Sequence, residues 1–507
     1  MGMLKSIKLE NYKCFKNATT IDIAPLTVLC GVNSSGKSSI LKSLLMMKQT
    51  AESKCQDFSI AFSGSYVDCG DFNDVIYDGI NRCDNVISIS NKFQISNHKL
   101  SAIGKYVKKE DAKFFNELRR IYCSISGVIK CFILEIDIVV EKVIPDMILY
   151  NNSLIDNRIK KYSIRISAIN EHDSIIDSSV GYINIEICND NEHHLLSWYN
   201  IPGFYRAQNN FDNYKCICSF DGFSISNVFA YNMLNSVKSI VPNIIAISRI
   251  VNAQYGGLLY IAPLRNTPER LYTFNKNVNN VGVAGQDTPI LLAKYKESNI
   301  ATDMFCPFNN EISLDEFGYV SCAFITVIQQ WLDYFGIEKL SVNKDNKAIN
   351  ISIGKHNITD VGFGISQILP IITQGINMEK NQTLLIEQPE IHLHPKMELQ
   401  MADFLIHMAT TDRNVIVETH SEHIINRLVR RVIEDETRSL YKKIKIYFIE
   451  KDKENNCIKS VLNEVPIDDE YGIQMYPIDF FDQSSSEQIK MMQSGLLKRQ
   501  KIKDKII

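Results

Sequence analysis

Four stretches of this chain place residues that could do chemistry at spacings that chemistry needs. The first is Gly31-Val-Asn-Ser-Ser-Gly36-Lys37-Ser38. Glycines at this spacing let backbone N–H groups turn inward around phosphates. Lys37 would reach the terminal phosphates, and Ser38 would hold Mg2+. The second, Thr383-Leu-Leu-Ile-Glu387-Gln388-Pro389-Glu390-Ile391-His392-Leu393-His394-Pro395, is an apolar run ending in an acid, which could serve the same ion. The third is Val415-Ile-Val-Glu418-Thr419-His420-Ser421, another apolar run that would carry His420 over the phosphates. The fourth is Asp360-Val-Gly362-Phe-Gly364-Ile-Ser366-Gln367. It reads either as a second anion-binding helix start or as a plain loop-to-helix turn.

These stretches need a scaffold. Leu26 to Cys30 is a short apolar run suited to a buried strand, and Ile40, Leu41, Leu44, Leu45 and Met47 follow the loop at helical spacing. Strand, glycine-rich loop and helix thus come in the order a phosphate-binding loop requires. Residues 258–270 read as a buried strand and a polar turn, 318–335 as a helix, 347–354 as a strand, and Ile358 to Thr373 as a loop entering a helix. Residues 382–388 and 414–418 read as buried strands around a helix over 396–409, which puts Met397, Met401, Leu405 and Met408 on one face. Between about 85 and 245 the character changes. Ile133 to Val140, Tyr162 to Ile169 and Tyr182 to Cys188 alternate apolar and polar residues, as half-buried strands do, and Ala112 to Tyr122 reads as a helix. Strand-like runs recur at Lys445 to Ile449 and Ser460 to Val465.

Composition narrows the class. The chain has 507 residues, 45% of them hydrophobic and 22% charged, with a net charge of −3. A basic whole-chain signature for nucleic acid is therefore absent, although a local patch is compatible with these numbers. The 13 cysteines are spread singly and read as free thiols of a cytoplasmic protein. No uncharged apolar run is long enough for a membrane helix. His392 with His394, and His420 with His423, have possible metal spacings, but no cysteine or acid cluster completes a set. No fixed-period repeat or long heptad array occurs.

Together the motifs resemble ABC-type ATPases of the SMC and OLD group, often called AAA family ATPases. The resemblance rests on "IKLENYKCFKN", "LTVLCGVNSSGKSSIL", "LLIEQPEIHLHP" and "VIVETHSEHI" and covers about 1–80 and 255–430. It implies an α/β fold, a P-loop ATPase head with a mixed central sheet, here carrying a large β-rich α+β insertion. The expected units are 1–84 and 246–450 for the head, 85–245 for an insertion that mediates assembly or partner contact, and 451–507 for an extension. By the resemblance Gly31, Asn33, Ser34, Ser35, Gly36, Lys37, Ser38 and Ser39 bind ATP, Ser38 and Glu387 serve Mg2+, and His420 is the switch histidine. Gly364, Ser366 and Gln367 stand in the signature loop that completes a partner head's site in a head-to-head dimer.

Two departures matter. Glu387 stands where the group has aspartate, and Gln388 stands where it has the catalytic glutamate. A glutamine can orient water but cannot take its proton. Glu390 is a candidate substitute base. The expectation is firm ATP binding with slow or partner-dependent hydrolysis. Glu450 ends a strand-like run, but no Asp-x-Asp follows it, so no built-in nuclease is expected. Tyr476 to Asp482 resembles a tail found in ATPases beside anti-phage effectors, such as the Septu, PARIS and retron-associated systems. The leading expectation is the sensor or scaffold subunit of such a defence complex, forming a dimer or higher homo-oligomer that controls a separate nuclease or toxin. A RecF-like DNA repair ATPase, which would bind DNA, and a nucleotide-gated module with little hydrolysis are the alternatives. Arg265 and Arg270 could approach the nucleotide or a partner head, but the preferred reading is solvated or carboxylate-paired, and Phe15 packs either near adenine or in the core.

Overall fold

The computed structural model describes residues 2–53, 58–77, 85–96, 129–143, 156–170, 182–189, 193–199, 214–229, 241–274, 278–300, 302–307, 322–454, 457–474 and 491–494. The helix expected at Ala112 to Tyr122 and the tail Tyr476 to Asp482 lie outside these residues.

The first sheet is antiparallel throughout. It contains β1 (Met3–Glu10), β2 (Thr19–Asp22), β4 (Val86–Ser96), β5 (Ile129–Lys142), β6 (Asn157–Asn170), β7 (Tyr182–Asn189), β8 (His194–Tyr199), β9 (Tyr214–Asp221) and β10 (Ser224–Phe229), in the order β10-β9-β8-β7-β6-β5-β4-β1-β2. The alternation read from the sequence buries one face. In β4 the inward residues are Ile87, Ile89, Phe93 and Ile95. The β-rich segment after residue 85 does not form a sheet of its own. β4 pairs with β1 from Met3↔Gln94 to Glu10↔Ser88, so it continues a sheet that the N-terminal strands begin.

The second sheet holds β3 (Leu26–Gly31), β11 (Leu258–Ile261), β12 (Thr383–Glu387), β13 (Asn414–Glu418), β14 (Ile444–Glu454) and β15 (Cys457–Val465). Its order is β11-β12-β13-β3-β14-β15, parallel except for the terminal β14-β15 hairpin. β3, β12 and β13 are apolar on both faces, as central parallel strands must be. Leu29, Leu385, Ile416 and Ile449 point to one core, and Val28, Leu384, Ile386, Val415, Val417 and Ile446 to the other.

Helix α1 (Lys37–Glu52) fills the space between the sheets, with Ile40, Leu41, Leu44, Leu45, Met46 and Met47 buried. Helix α2 (Val241–Gly256) joins that core through Ile244, Ile247, Val251 and Tyr255. Buried Asn91 accepts a hydrogen bond from Tyr255 Oη at 2.7 Å, which satisfies its side-chain oxygen inside an apolar layer, while its Nδ2 has no partner. The opposite face of the parallel sheet packs α3 (Thr288–Tyr295), α4 (Phe324–Tyr334), α5 (Phe363–Asn377), α6 (Pro395–Thr410) and α7 (Glu422–Glu434). A small antiparallel sheet built on Leu340–Asp345 and Ala348–Ile353 borders that layer. Among the described residues no helix is long and apolar enough to cross a membrane.

Candidate functional site

The parallel strands of the second sheet end along one edge, where open α/β sheets place their ligands. Register sets who meets whom there. Glu387 pairs with Glu418, Glu418 with Leu29, and Ile449 with Gly31. One strand, β13, therefore separates the phosphate-loop strand β3 from β12.

The loop after β3 is shaped by its small residues. Gly31 has φ 136°, and a Cβ there would sit 2.2 Å from the Ile449 carbonyl oxygen. Gly36 has φ 107° and caps α1, and a Cβ there would lie 2.3 Å from Cys14 Sγ. Ser34 also takes a left-handed φ of 58°. Side chains are thus excluded by backbone conformation and by contact at both glycines. Asn33 and Ser34 are exposed, whereas Ser35 is buried and its carbonyl accepts from the Ser460 hydroxyl of β15. Lys37 is buried and donates Nζ to the carbonyls of Gly31 (3.0 Å) and Val32 (2.8 Å). Burial holds its pKa below the ordinary lysine value. Ser39 N–H donates to Gly36 O in the first turn of α1. Phe15, whose place was left open between adenine and core, is fully buried in the core.

Ser38 Oγ donates to Glu418 Oε1 at 2.8 Å. Glu418 stands in the third stretch but was given no role from the sequence. It ends a five-residue buried strand, the same signal that drew attention to Glu387. Burial, with the Glu387 charge beside it, pushes Glu418 up to about 7. Glu387 Oε1 accepts from Tyr260 Oη of β11 at 2.8 Å, and burial raises its pKa too. Glu390 Oε1 accepts the His420 N–H at 2.7 Å, and burial raises this carboxyl as well. His420 itself is exposed, and partial burial and the Lys37 charge hold it below the usual histidine range.

The turn after Glu387 is fixed through its main chain. Gln388 has φ 45°, and its N–H donates to Glu418 O at 2.7 Å. Arg265 is buried, not solvated as expected, and pairs with no carboxylate. Its Nη2 donates to the carbonyls of Glu387 (3.0 Å) and Gln388 (3.2 Å). Arg270 does pair with a carboxylate, Asp360, at 2.7 Å. His394 caps α6 by accepting from the Lys396 N–H, and the His392 ring meets Phe363 edge-on at 4.9 Å.

The fourth motif lies at the start of α5. Gly362 and Phe363 are exposed there. Gly364 lies close against the His392 carbonyl, 3.0 Å from where a Cβ would be. Ser366 and Gln367 are buried. The Ser366 hydroxyl donates to Phe363 O at 2.6 Å, and Gln367 Nε2 donates to Ser366 Oγ at 3.3 Å.

The arrangement suits a nucleotide with a divalent ion. Glu418 Oε2 and Glu390 Oε2 are buried with no hydrogen-bond partner, and Ser38 stands beside the former. Among the described residues no three His, Cys, Asp or Glu side chains converge to hold a metal. Mg2+ that rides on phosphates takes only one or two protein oxygens, and the Ser38 hydroxyl and a strand-end carboxylate would be of that kind.

Comparison with curated proteins finds no match. Among solved structures the chain is similar to the SMC head domain from Thermotoga maritima, at 10% identity and TM-score 0.35, covering 91% of this chain and 100% of that one. It is also similar to an SMC head bound to the C-terminal winged-helix domain of ScpA (11%, TM-score 0.39, 91% and 98%). A third is the SMC head with an extended coiled coil bound to the C-terminal domain of ScpA from Pyrococcus furiosus (10%, TM-score 0.36, 91% and 96%). The model of the AAA ATPase domain matches residues 3–221 and 275–425, most of the chain, and so the chain belongs to the AAA ATPase domain family.

Proposed function

We propose that this chain is a nucleotide-gated ATPase subunit of a bacterial anti-phage defence complex. It binds ATP at Gly31 to Ser39, with Mg2+ held at Ser38 and a strand-end acid. It pairs head-to-head with a second copy, which brings the Gly362 to Gln367 segment of one head to the nucleotide of the other. The nucleotide-bound assembly holds or releases a separate nuclease or toxin.

The observation that carries the gating is Gln388. Its amide cannot accept a proton from water, and its main chain is held by Glu418 and Arg265. The turn cannot swing another residue into its place without breaking those bonds. Glu390, the candidate substitute base, already accepts the His420 N–H. Binding and switching therefore outweigh turnover. Bound Mg2+ would neutralise phosphate charge, and Lys37, freed from the Gly31 and Val32 carbonyls, would reach the terminal phosphates. The defence role is supported by the motif resemblance and by the Tyr476 to Asp482 tail.

The test is affinity purification of the native complex with mass measurement, with and without ATP, for the unsubstituted chain and Lys37→Ala. The expected result is an ATP-dependent larger assembly with a bound effector, and protection of cells against phage, both lost in Lys37→Ala. A Lys37→Ala protein that assembles and protects normally sinks this reading.

A further inference from the structure

We infer that the β14–β15 hairpin forms one wall of the nucleotide site: Ser460 is a positioning residue that sets the phosphate loop, and Lys451, directly opposite it, supplies a second cation to the polyphosphate. The inference rests on the nucleotide reading above and adds to it two residues that no motif contains.

Register brings both residues to the loop. Ile449 pairs with Gly31 at the end of β3. Ile449 also stands opposite Leu462, and both pack on the core that holds α1. Side chains two residues apart along a strand share a face. Lys451 and Ser460, the next pair on that face, therefore point the same way, beyond the end of β3 and beside the loop that enters α1. Ser460 grips two segments there. Its N–H donates to Cys14 O at 2.9 Å, and its hydroxyl donates to Ser35 O. A Cβ on Gly36 would lie 2.3 Å from Cys14 Sγ and 3.2 Å from Ser460 Oγ, so the loop, the N-terminal turn and the hairpin meet at Gly36.

Peptide geometry converts this grip into a role. A peptide group is planar and trans, so its C=O and N–H point in opposite directions. The Ser460 hydroxyl holds the Ser35 carbonyl toward the hairpin. The Gly36 N–H of the same peptide is thereby aimed away from the hairpin, to the inside of the loop, where N–H groups bind phosphate. Lys451 is exposed, and among the described residues no salt bridge engages it, whereas Asp452 and Lys459 beside it pair at 3.3 Å. Burial holds Lys37 below the ordinary lysine value, and the Lys451 charge acts in the same direction, which places the two amines within electrostatic reach. A polyphosphate before both turns that repulsion into shared attraction.

The test is a competition titration on the purified full chain. ATP and AMP each displace a fluorescent ATP analogue, and thermal unfolding checks that every variant is folded. Ser460→Ala should weaken ATP binding by about threefold to tenfold, the size of one hydrogen bond. Ser460→Thr, which keeps the hydroxyl, should bind ATP as the unsubstituted chain does. Ser460→Val, the shape of threonine without the hydroxyl, should match the alanine variant and replaces it should alanine fold poorly. Lys451→Gln should weaken ATP by about tenfold and AMP far less, because Lys451 stands by the lysine that serves the terminal phosphates. Lys451→Arg should stay near the unsubstituted value. Full ATP affinity in the alanine and valine variants, or equal losses with threonine and valine, overturns the positioning role. Full ATP affinity in Lys451→Gln, or equal losses for ATP and AMP, overturns the second cation. A Lys37→Ala chain that binds the analogue as tightly as the unsubstituted one would instead bring down the nucleotide reading itself.

Discussion

Arg265 holds Gln388 by its main chain. The guanidinium Nη2 lies 3.2 Å from the Gln388 carbonyl oxygen and 3.0 Å from that of Glu387, while the Gln388 N–H is given to Glu418 at 2.7 Å. The backbone of this turn therefore does not depend on the side chain at position 388. Chemistry at that position can be changed without moving its surroundings.

That separation makes Gln388→Glu an informative change. The variant restores a carboxylate able to take a proton from water where the present amide cannot, a function worth about 100-fold or more. Steady-state phosphate release should rise by at least that order, with the thermal midpoint nearly unchanged. Equal turnover in the two proteins would show that the limiting step lies elsewhere.

Arg265 should matter more for stability than its distance from any carboxylate suggests. Burial lowers its pKa to about 10, so it stays charged at neutral pH, and its charge is spent on two carbonyls. Hydrogen bonds from a charged donor contribute about 1.5–3 kcal/mol. Arg265→Ala should lose an amount of that order in urea denaturation. Both bonds come from the one Nη2, while Nε and Nη1 are buried without partners, so Arg265→Lys, which keeps the charge and can donate to both carbonyls, should recover part of it. No recovery with lysine would mean that the packing of the guanidinium, rather than its charge, holds the turn.

Much of this site was legible in the residues themselves. The apolar run Leu26 to Cys30, the spacing of Gly31 and Gly36, and the helical period from Ile40 are local signals, and local physics shapes them. The five-residue runs ending in Glu387 and Glu418 were equally plain as strands. Their order in the sheet was not, because parallel strands are placed by crossovers that pattern alone does not encode. Without that order the hydrogen bond from Ser38 to Glu418 is not foreseeable. Arg265 was missed for a related reason. An arginine in a polar turn looks solvated until the chain that covers it is known. The alternating runs after residue 85 announced strands. Their union with β1 depends on pairing across some 80 residues, which no local period reports.

Asp403 should be the most sensitive acid outside the site. It is fully buried on α6 and accepts from Arg427 Nη2 and Arg431 Nε of α7, each at 2.7 Å, and from Tyr334 Oη of α4 at 2.5 Å. Burial works to raise its pKa, but these partners outweigh it and hold the carboxyl below the usual range. Removing one member of a buried ion pair costs about 3–5 kcal/mol, because the other is left uncompensated. Asp403→Ala should show a loss of that order in chemical denaturation, while the folded fraction still binds a fluorescent ATP analogue. A small loss would mean that water readily takes over from the carboxylate.

His407 should add an acid-side slope to stability. It lies on α6 with its ring 5.4 Å from that of Trp331, and its Nε2 is buried without a partner. Burial lowers its pKa from 6.5 to about 4, with Arg413 acting in the same direction and Asp303 against it. The unfolded chain therefore takes up a proton first as pH falls. The stability due to neutral His407 is fully present above pH 6.5 and drains away between 6.5 and 4. At pH 5 the difference in pKa amounts to about 2 kcal/mol. The buried carboxyls Glu387, Glu390 and Glu418 titrate on the same side, so a single curve does not isolate the histidine. The comparison that does is His407→Gln against the unsubstituted chain, each unfolded by urea at pH 7.5 and pH 5. The variant should lose less stability between the two pH values by about 2 kcal/mol. Identical losses would place the proton elsewhere.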